Sequence, residues 1–173
     1  MIITENFEII TNRLKLVPIN LIYQEIIFKE FTPEVTHFLT PQPADDIQDT
    51  INFINDSLTK TLFGSELQLV ALDKDTQEFL GCVGLHNIDT KTPELGLWFK
   101  QSAWGLGYGK ESMLALRNWA KDNLTYSHIS YPVCKDNLPS RKIAEFIGGK
   151  IAREYLGKNS KGEEMAEVEY LIV

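Results

Sequence analysis

The spacing of apolar residues in the first third of the chain predicts one strand and then two helices. Residues 13–17 alternate between apolar and polar positions, which is typical of a strand buried on one face. Residues 19–31 and 47–62 each carry apolar side chains at helical spacing. Asp45 and Gln48 resemble a capping box, so we expect the second helix to begin beside them.

Beyond residue 66 the pattern changes to short apolar runs that predict strands. Turn-forming residues at 73–76 separate the first two runs and predict a hairpin. Strands are predicted at residues 67–72, 79–85, 94–99, 128–133, 152–156 and 165–173, and helices at residues 109–123 and 140–147. This order predicts the mixed α/β (α+β) class, with a meander ahead of one strand–helix–strand unit. We expect a single domain over residues 1–173, because no repeat or linker interrupts the pattern.

Composition narrows the class of partner and the cellular setting. The 173 residues include 17 Lys plus Arg and 24 Asp plus Glu, and the formal net charge is -7. That balance argues against nucleic-acid binding and suits a cationic partner. Cys82 and Cys134 are too few for a disulfide scaffold, which favours a reduced, cytoplasmic setting. No spacing of His, Cys or carboxylate residues indicates a metal site.

We expect neither a membrane span nor an export signal. No apolar run approaches the roughly 18 residues that a membrane span needs. Residues 1–6 have no basic region ahead of a long apolar one, so they do not resemble a secretory signal.

The segment richest in chemical information is a glycine loop, residues 105–109, between a predicted strand and a predicted helix. Its three glycines allow a close approach of the backbone to a ligand, and the helix that follows offers free N–H groups to an anion. The loop therefore indicates a phosphate or pyrophosphate site, and a connector without a ligand is the alternative. A dinucleotide loop would need glycine at Lys110 or Ser112, and a nucleoside-triphosphate loop fails at Trp104 and Glu111.

Three separated motifs together resemble one known superfamily. The glycine loop, residues 11–16 and residues 137–140 occur in the order found in the GNAT superfamily of acetyl-CoA-dependent N-acetyltransferases. They are most similar to the branch that includes the ribosomal-protein N-terminal alanine and serine acetyltransferases. Gly148 closes the late helix as a glycine does there. One position departs from the pattern, because Trp104 stands where Gln or Arg is usual.

The resemblance implies a GNAT fold, with a mostly antiparallel sheet of about seven strands, splayed in the middle, and about four flanking helices. It implies that acetyl-CoA is the co-substrate and that its pantetheine arm pairs with the strand ending at Trp98 and Phe99. A backbone N–H of Phe99 or Lys100 would polarise the thioester carbonyl. Asn137 would hold the pantetheine side. The backbone amides implied for the pyrophosphate are those of Leu106, Gly107, Tyr108, Gly109 and Lys110.

The resemblance also implies where acid and base stand. Many members have a tyrosine general acid seven residues after the asparagine, but Ala144 occupies that position here. Ser140 would then sit near the thiol and donate the proton to the departing thiolate, directly or through water. The acceptor amine must attack in its neutral form, and Glu94, at the start of the strand that flanks the thioester, is the first candidate for base or amine anchor. A solvated carboxylate is the alternative, and His86 is a second candidate base.

We therefore expect an N-acetyltransferase that transfers acetyl to a primary amine by direct attack in a ternary complex. The acceptor stays open between a protein N-terminal α-amine and a small amine such as a polyamine, an amino acid or an antibiotic. The alternatives are a non-catalytic CoA-binding sensor or scaffold module and a nucleotide-binding protein. Homodimers are frequent in the resembled family. Four aromatic residues would line the acceptor side, unless they belong to the core: Tyr23, Phe28, Phe31 and Phe38. Four acidic residues would form its rim, unless they face solvent: Glu163, Glu164, Glu167 and Glu169.

Overall fold

An eight-stranded sheet forms the centre of the computed structural model, which describes residues 7–173. Its strands in chain order are β1 (Ile9–Ile10), β2 (Leu14–Pro18), β3 (Glu66–Asp73), β4 (Phe79–His86), β5 (Glu94–Phe99), β6 (Ile129–Cys134), β7 (Lys150–Lys158) and β8 (Glu164–Ile172). Their order in space is β1-β2-β3-β4-β5-β6-β8-β7. All neighbours are antiparallel except β5 and β6, which are parallel. Residues 1–6, which carry the expectation about a secretory signal, lie outside the described residues.

Helices cover both faces of this sheet. They are α1 (Gln24–Glu30), α2 (Pro33–Thr36), α3 (Ile47–Phe63), α4 (Tyr108–Asn123) and α5 (Leu138–Phe146), with short 3-10 turns at Leu21–Tyr23 and Gln101–Ala103. Across residues 7–173, none of the helices is both long enough and apolar enough to pass through a bilayer.

The mixed class and the mostly antiparallel sheet are confirmed, and the structure adds one strand and one helix to the expected numbers. β1 has two residues, too few to show an alternating pattern. α2 is a single turn that Thr32 caps, and the predicted helix over 19–31 breaks into a 3-10 turn and α1. The expected capping box was wrong: Asp46, not Asp45, caps α3, and its carboxylate accepts from the Gln48 N–H at 2.8 Å.

The parallel pair β5 and β6 is joined at one point only. Glu94 pairs with Ser130, and no further register pair follows among the described residues. The strands therefore diverge beyond Glu94, as the resemblance implied, and leave backbone groups of β5 without a partner strand on that side.

The two faces of β5 pack against different cores, as strand alternation predicts. Leu95 and Phe99 belong to the larger core, which includes Met113 and Leu116 of α4. Trp98 packs on the opposite face, against the smaller core of α1 and α3. Fully burying each large apolar side chain contributes about 1.5–3 kcal/mol, so both faces hold β5 in place.

Candidate active site

Two cavities open beside the point where β5 and β6 diverge. The glycine-loop cavity has a volume of about 970 Å³ and is lined by the loop and by Phe99 and Ile143. The acidic cavity, about 530 Å³, is lined by Asp45, Asp49, Glu94 and Glu167 together with apolar side chains. Six residues line both cavities: Phe38, Leu39, Leu97, Trp98, Asn137 and Ser140. Two ligands that enter from opposite sides would therefore meet along this shared wall.

The glycine loop has a backbone conformation that few other residues adopt. Gly105 and Gly107 have φ angles of 74° and 85°, in the left-handed region that favours glycine. Gly107 is the N-cap of α4, so the free N–H groups of the first helical turn come directly after it. The positive end of the helix dipole therefore lies at the wall of the glycine-loop cavity.

Gly109 serves a different purpose from the other two glycines. A Cβ atom on this residue would stand 2.7 Å from the Cδ1 atom of Ile143, so the missing side chain lets α5 approach α4. Lys110, which follows it, lies with its Nζ atom 5.1 Å from the centre of the Phe146 ring. Both residues line the cavity, whereas the exposed side chain of Leu106 does not.

Arg13 of the first motif holds the loop from outside. Its Nη1 atom donates to the carbonyl oxygen of Leu106 at 2.9 Å. Its guanidinium carbon lies 4.6 Å from the centre of the Tyr108 ring, a cation–π distance. The sequence showed this arginine as part of a motif but did not show what it contacts.

Trp104, the departure from the usual motif, ties the loop to the end of β5. Its indole Nε1 donates to the carbonyl oxygen of Phe99 at 2.8 Å. The N–H of Lys100 donates to the Leu80 carbonyl oxygen at 2.8 Å, so it is not available to a ligand. Hydrogen bonds alternate along an antiparallel ladder, so the N–H of Phe99 points away from β4 and toward the opening. Of the two amides implied by the resemblance, only that of Phe99 faces the site.

Asn137 and Ser140 begin α5 at the shared wall. The Oδ1 atom of Asn137 caps the helix by accepting from the Ser140 N–H at 3.1 Å. Ser140 Oγ and the Tyr131 hydroxyl form a 2.8 Å hydrogen bond. Tyr131 is buried, which raises its pKa above the ordinary value. Ala144 is fully buried and offers no hydroxyl.

Sequence reasoning missed Tyr131 as a site residue. The alternation of residues 128–133 predicts its strand but says nothing about α5, whose N-terminal turn supplies the serine that it contacts. The available signal was the position of Tyr131 close before the motif at 137–140.

Glu94 faces the acidic cavity without an ion pair or side-chain hydrogen bond to any residue within 7–173. Burial raises the pKa of Glu94; the nearby His86 opposes this change, and the charges of Glu169 and Glu167 add to it. A carboxylate with a raised pKa is a better proton acceptor than an ordinary one. Glu167 lines the same cavity, whereas Glu169 accepts from Ser130 and pairs with Arg153.

His86 stands beside Glu94 on the adjoining strand, since the two residues are paired in register. Its Nδ1 atom lies 3.2 Å from Oε2 of the buried Glu66. Burial works to raise the pKa of Glu66, but the bond and charge from His86, with the charge of Lys60, outweigh it and lower that pKa. The arrangement orients the imidazole, and its Nε2 atom lies over the glycine pair Gly84 and Gly96.

The aromatic residues expected at the acceptor side divide into two groups. Phe31 and Phe38 line the acidic cavity. Tyr23 packs against the smaller core, and Phe28 lies outside the lining of both cavities. Two of the four expected aromatic residues therefore line the acidic cavity, and Phe53 of α3 lines it in addition.

Comparison with known proteins identifies the family. Residues 13–150 match the model of the acetyltransferase (GNAT) domain, which is most of the chain. The chain belongs to the GNAT acetyltransferase family. The match covers the glycine loop, residues 137–140 and Gly148 in full, and residues 13–16 of the first motif.

One curated relative of this GNAT protein is the uncharacterized N-acetyltransferase p20 of Bacillus licheniformis. The two are 29% identical over 116 residues. The match spans 64% of this chain and 64% of the relative, less than two thirds of the relative's length.

Solved structures share the GNAT fold with this protein. The microcin C7 self-immunity acetyltransferase MccE, in complex with acetyl-CoA and AMP, superposes with a TM-score of 0.83 at 19% identity, covering 94% of this chain and 93% of that one. RimL, a ribosomal L7/L12 α-N-protein acetyltransferase, superposes with a TM-score of 0.81 at 14% identity, covering 96% and 94%. At these identities the likeness shows the fold, and RimL matches the branch that the motifs resemble.

Proposed function

We propose that this protein is an acetyl-CoA-dependent N-acetyltransferase that transfers acetyl to a primary amine by direct attack in a ternary complex. The observation that carries the proposal is the wall shared by the two cavities, because ligands from both sides would meet there beside Leu97 and Ser140. Membership in the GNAT family supports the same class of reaction. The acceptor is a protein N-terminal α-amine or a small amine.

The glycine-loop cavity fits acetyl-CoA, which supplies the acetyl group as a thioester when bound. The first-turn amides of α4 and the dipole of that helix favour a pyrophosphate, so residues 106–110 are the proposed binding loop. The outward N–H of Phe99 would donate to the thioester carbonyl oxygen, and the adjacent Trp98 lines the shared wall. Asn137 uses Oδ1 as a helix cap, which leaves Nδ2 to donate to the pantetheine arm.

Glu94 is the proposed base, and Ser140 is the proposed acid. Glu94 would take a proton from the incoming ammonium group, directly or through water, because burial raises its pKa and no ion pair or side-chain hydrogen bond within 7–173 engages its carboxylate. Ser140 would donate its hydroxyl proton to the departing thiolate and recover one from water, and the Tyr131 hydroxyl, 2.8 Å away, would orient it. His86 is the second candidate base, held by Glu66.

A thiol-release assay with acetyl-CoA and a panel of amines tests the proposal. We expect thiol release that depends on the amine, and a product whose mass includes one added acetyl group. Thermal stabilisation by acetyl-CoA without turnover of any amine would instead favour the non-catalytic CoA-binding module. Stronger stabilisation by ATP or NAD than by CoA would favour a nucleotide-binding protein.

We also propose that residues 1–173 form one domain and that the protein works in the cytoplasm as a homodimer. The continuous sheet supports the first point. The two unpaired cysteines are consistent with a reduced setting. β7 is an edge strand with the exposed apolar side chains Ile151 and Leu156, a surface that a second copy would cover. Sedimentation tests whether the protein is a homodimer, and limited proteolysis tests whether it is a single domain.

A further inference from the structure

We infer that the acceptor carries a second cationic group and no carboxylate. This inference rests on the proposed function, because it specifies which class of amine the acidic cavity would present to the thioester.

The charges that line the acidic cavity are nearly all negative. Asp45, Asp49, Glu94 and Glu167 contribute four carboxylates, and none of the lining residues within 7–173 is Lys or Arg. His86, the basic group in the lining, is engaged by the buried Glu66. An acceptor with its own carboxylate would find repulsion and no cationic partner, which disfavours amino acids. A second ammonium group would find a carboxylate.

These carboxylates come from two parts of the fold. Glu94 and Glu167 belong to β5 and β8, on the sheet, whereas Asp45 and Asp49 lie at the start of α3. Acidic residues are common at helix starts because of the helix dipole, but Asp46 already caps α3 from outside the cavity. The sheet pair suits the reacting amine, and the helix pair suits a second cation.

Gln68 adds a neutral polar group to the wall of the acidic cavity. Its Oε1 atom lies over Gly84, 2.5 Å from where a Cβ atom of residue 84 would stand. No fully buried side-chain N or O atom of residues 7–173 lacks a partner, so the amide of Gln68 is reached from the cavity. Its oxygen would accept from an ammonium group bound there.

Three straight-chain amines of matched length test the inference, because they differ only at the distal end. They are cadaverine, with a second ammonium group, pentylamine, with a methyl group, and ω-aminopentanoate, with a carboxylate. We expect kcat/KM to fall in that order, with a difference of about fivefold to tenfold at each step. A dipeptide amide with lysine in second position presents two cations as a protein N-terminus would. Whether its kcat/KM is above or below that of cadaverine separates a protein acceptor from a small diamine.

Two variants that each remove one negative charge locate the binding site of the second cation. Asp49→Asn removes a carboxylate from the cavity, and Asp46→Asn removes one from the same helix start but outside the lining, while asparagine still caps the helix. We expect Asp49→Asn to lower kcat/KM for cadaverine about fivefold and to leave pentylamine within about twofold. Asp46→Asn should change neither value.

Calorimetric binding of the same three amines to the protein with CoA separates this inference from the proposed function. Absence of turnover with every amine contradicts the proposed function, while tighter binding of cadaverine that depends on Asp49 still supports the inference. Three results would overturn the inference. They are turnover or binding of ω-aminopentanoate at least equal to that of cadaverine, no measurable binding of cadaverine, and an equal effect of Asp49→Asn and Asp46→Asn.

Discussion

Arg13 and Glu111, 98 positions apart in the chain, are joined by two hydrogen bonds and an ion pair. Arg13 donates from Nε to Oε2 of Glu111 at 2.8 Å and from its backbone N–H to Oε1 at 2.7 Å, and Nη2 lies 2.8 Å from Oε2. Thr11 Oγ1 donates to the same Oε1 at 2.6 Å. Burial works to raise the pKa of Glu111, but these bonds outweigh it and lower that pKa. The first motif and the first turn of α4 therefore form one structural unit behind the glycine loop.

Arg13→Ala should weaken acetyl-CoA binding more than it slows the chemical step. The substitution removes the side-chain bonds to Leu106 and Glu111 that hold the loop, and we expect the KM for acetyl-CoA to rise about tenfold, with kcat within about threefold. Steady-state kinetics with varied acetyl-CoA measures both values.

Lys15→Ala is the matched control, because it removes a nearby cation, in β2, whose partner is Glu8 at 2.9 Å rather than the loop. If Lys15→Ala raises the KM for acetyl-CoA as much as Arg13→Ala does, the contacts of Arg13 do not position the loop.

Glu94→Gln should lower kcat/KM for the amine at neutral pH by about a hundredfold, because the proposed base is lost. The wild-type rate should fall as pH falls through the raised pKa of Glu94, and the variant should lack this acid limb. Rates measured across pH test both expectations. Glu164→Gln, at the start of β8 and outside both cavities, is the control and should keep the wild-type profile.

The same Glu94→Gln variant should unfold at a higher temperature than the wild type at neutral pH. Folding raises the pKa of Glu94, so the folded state binds more protons than the unfolded state, and stability falls as pH rises between the two pKa values. The difference in unfolding temperature between the variant and the wild type should vanish when the pH is below the ordinary carboxyl pKa. Thermal denaturation at several pH values measures it, and a variant that is less stable at neutral pH would contradict the raised pKa.

Ser140→Ala should reduce kcat by at least about tenfold and leave the KM for acetyl-CoA within about twofold. The hydroxyl is lost, but the backbone N–H that Asn137 caps remains. Tyr131→Phe removes the hydroxyl behind it and should reduce kcat less. Equal losses of kcat with a shared loss of thermal stability would show that the pair is structural.

Gly109→Ala should stabilise the fold by less than the same change does in an open helix, because the new Cβ would stand 2.7 Å from Ile143 Cδ1 and the end of that side chain would have to move. In an open helix the gain is about 0.5–1 kcal/mol, so the loss of that gain reports the contact between α4 and α5. Ile143→Val removes the clashing atom. Chemical denaturation of both single variants and the double variant should show that the double variant recovers most of the loss; additive effects would contradict the contact.

The sequence by itself determined the local elements and the family. Apolar spacing predicted β5, α3 and α4 to within a residue or two, because burial of one face imposes a period of two on a strand and near four on a helix. The positions of the glycines and of residues 11–16 and 137–140 were sufficient for the GNAT resemblance. The period carries no signal for β1 and α2, which are too short to repeat it.

Only the tertiary structure decided which side chains meet. The pairing of Arg13 with Glu111 depends on how β2 and α4 sit in the fold, and the contact of Tyr131 with Ser140 depends on how α5 leaves the sheet. The raised pKa of Glu94 comes first from burial in the folded protein, and the charges of β8, which is far from it in sequence, add to it. Periodicity records which face of an element is buried but not which element covers it. The site is therefore a property of strand order and register, although its elements, apart from the single turn α2, could be predicted locally.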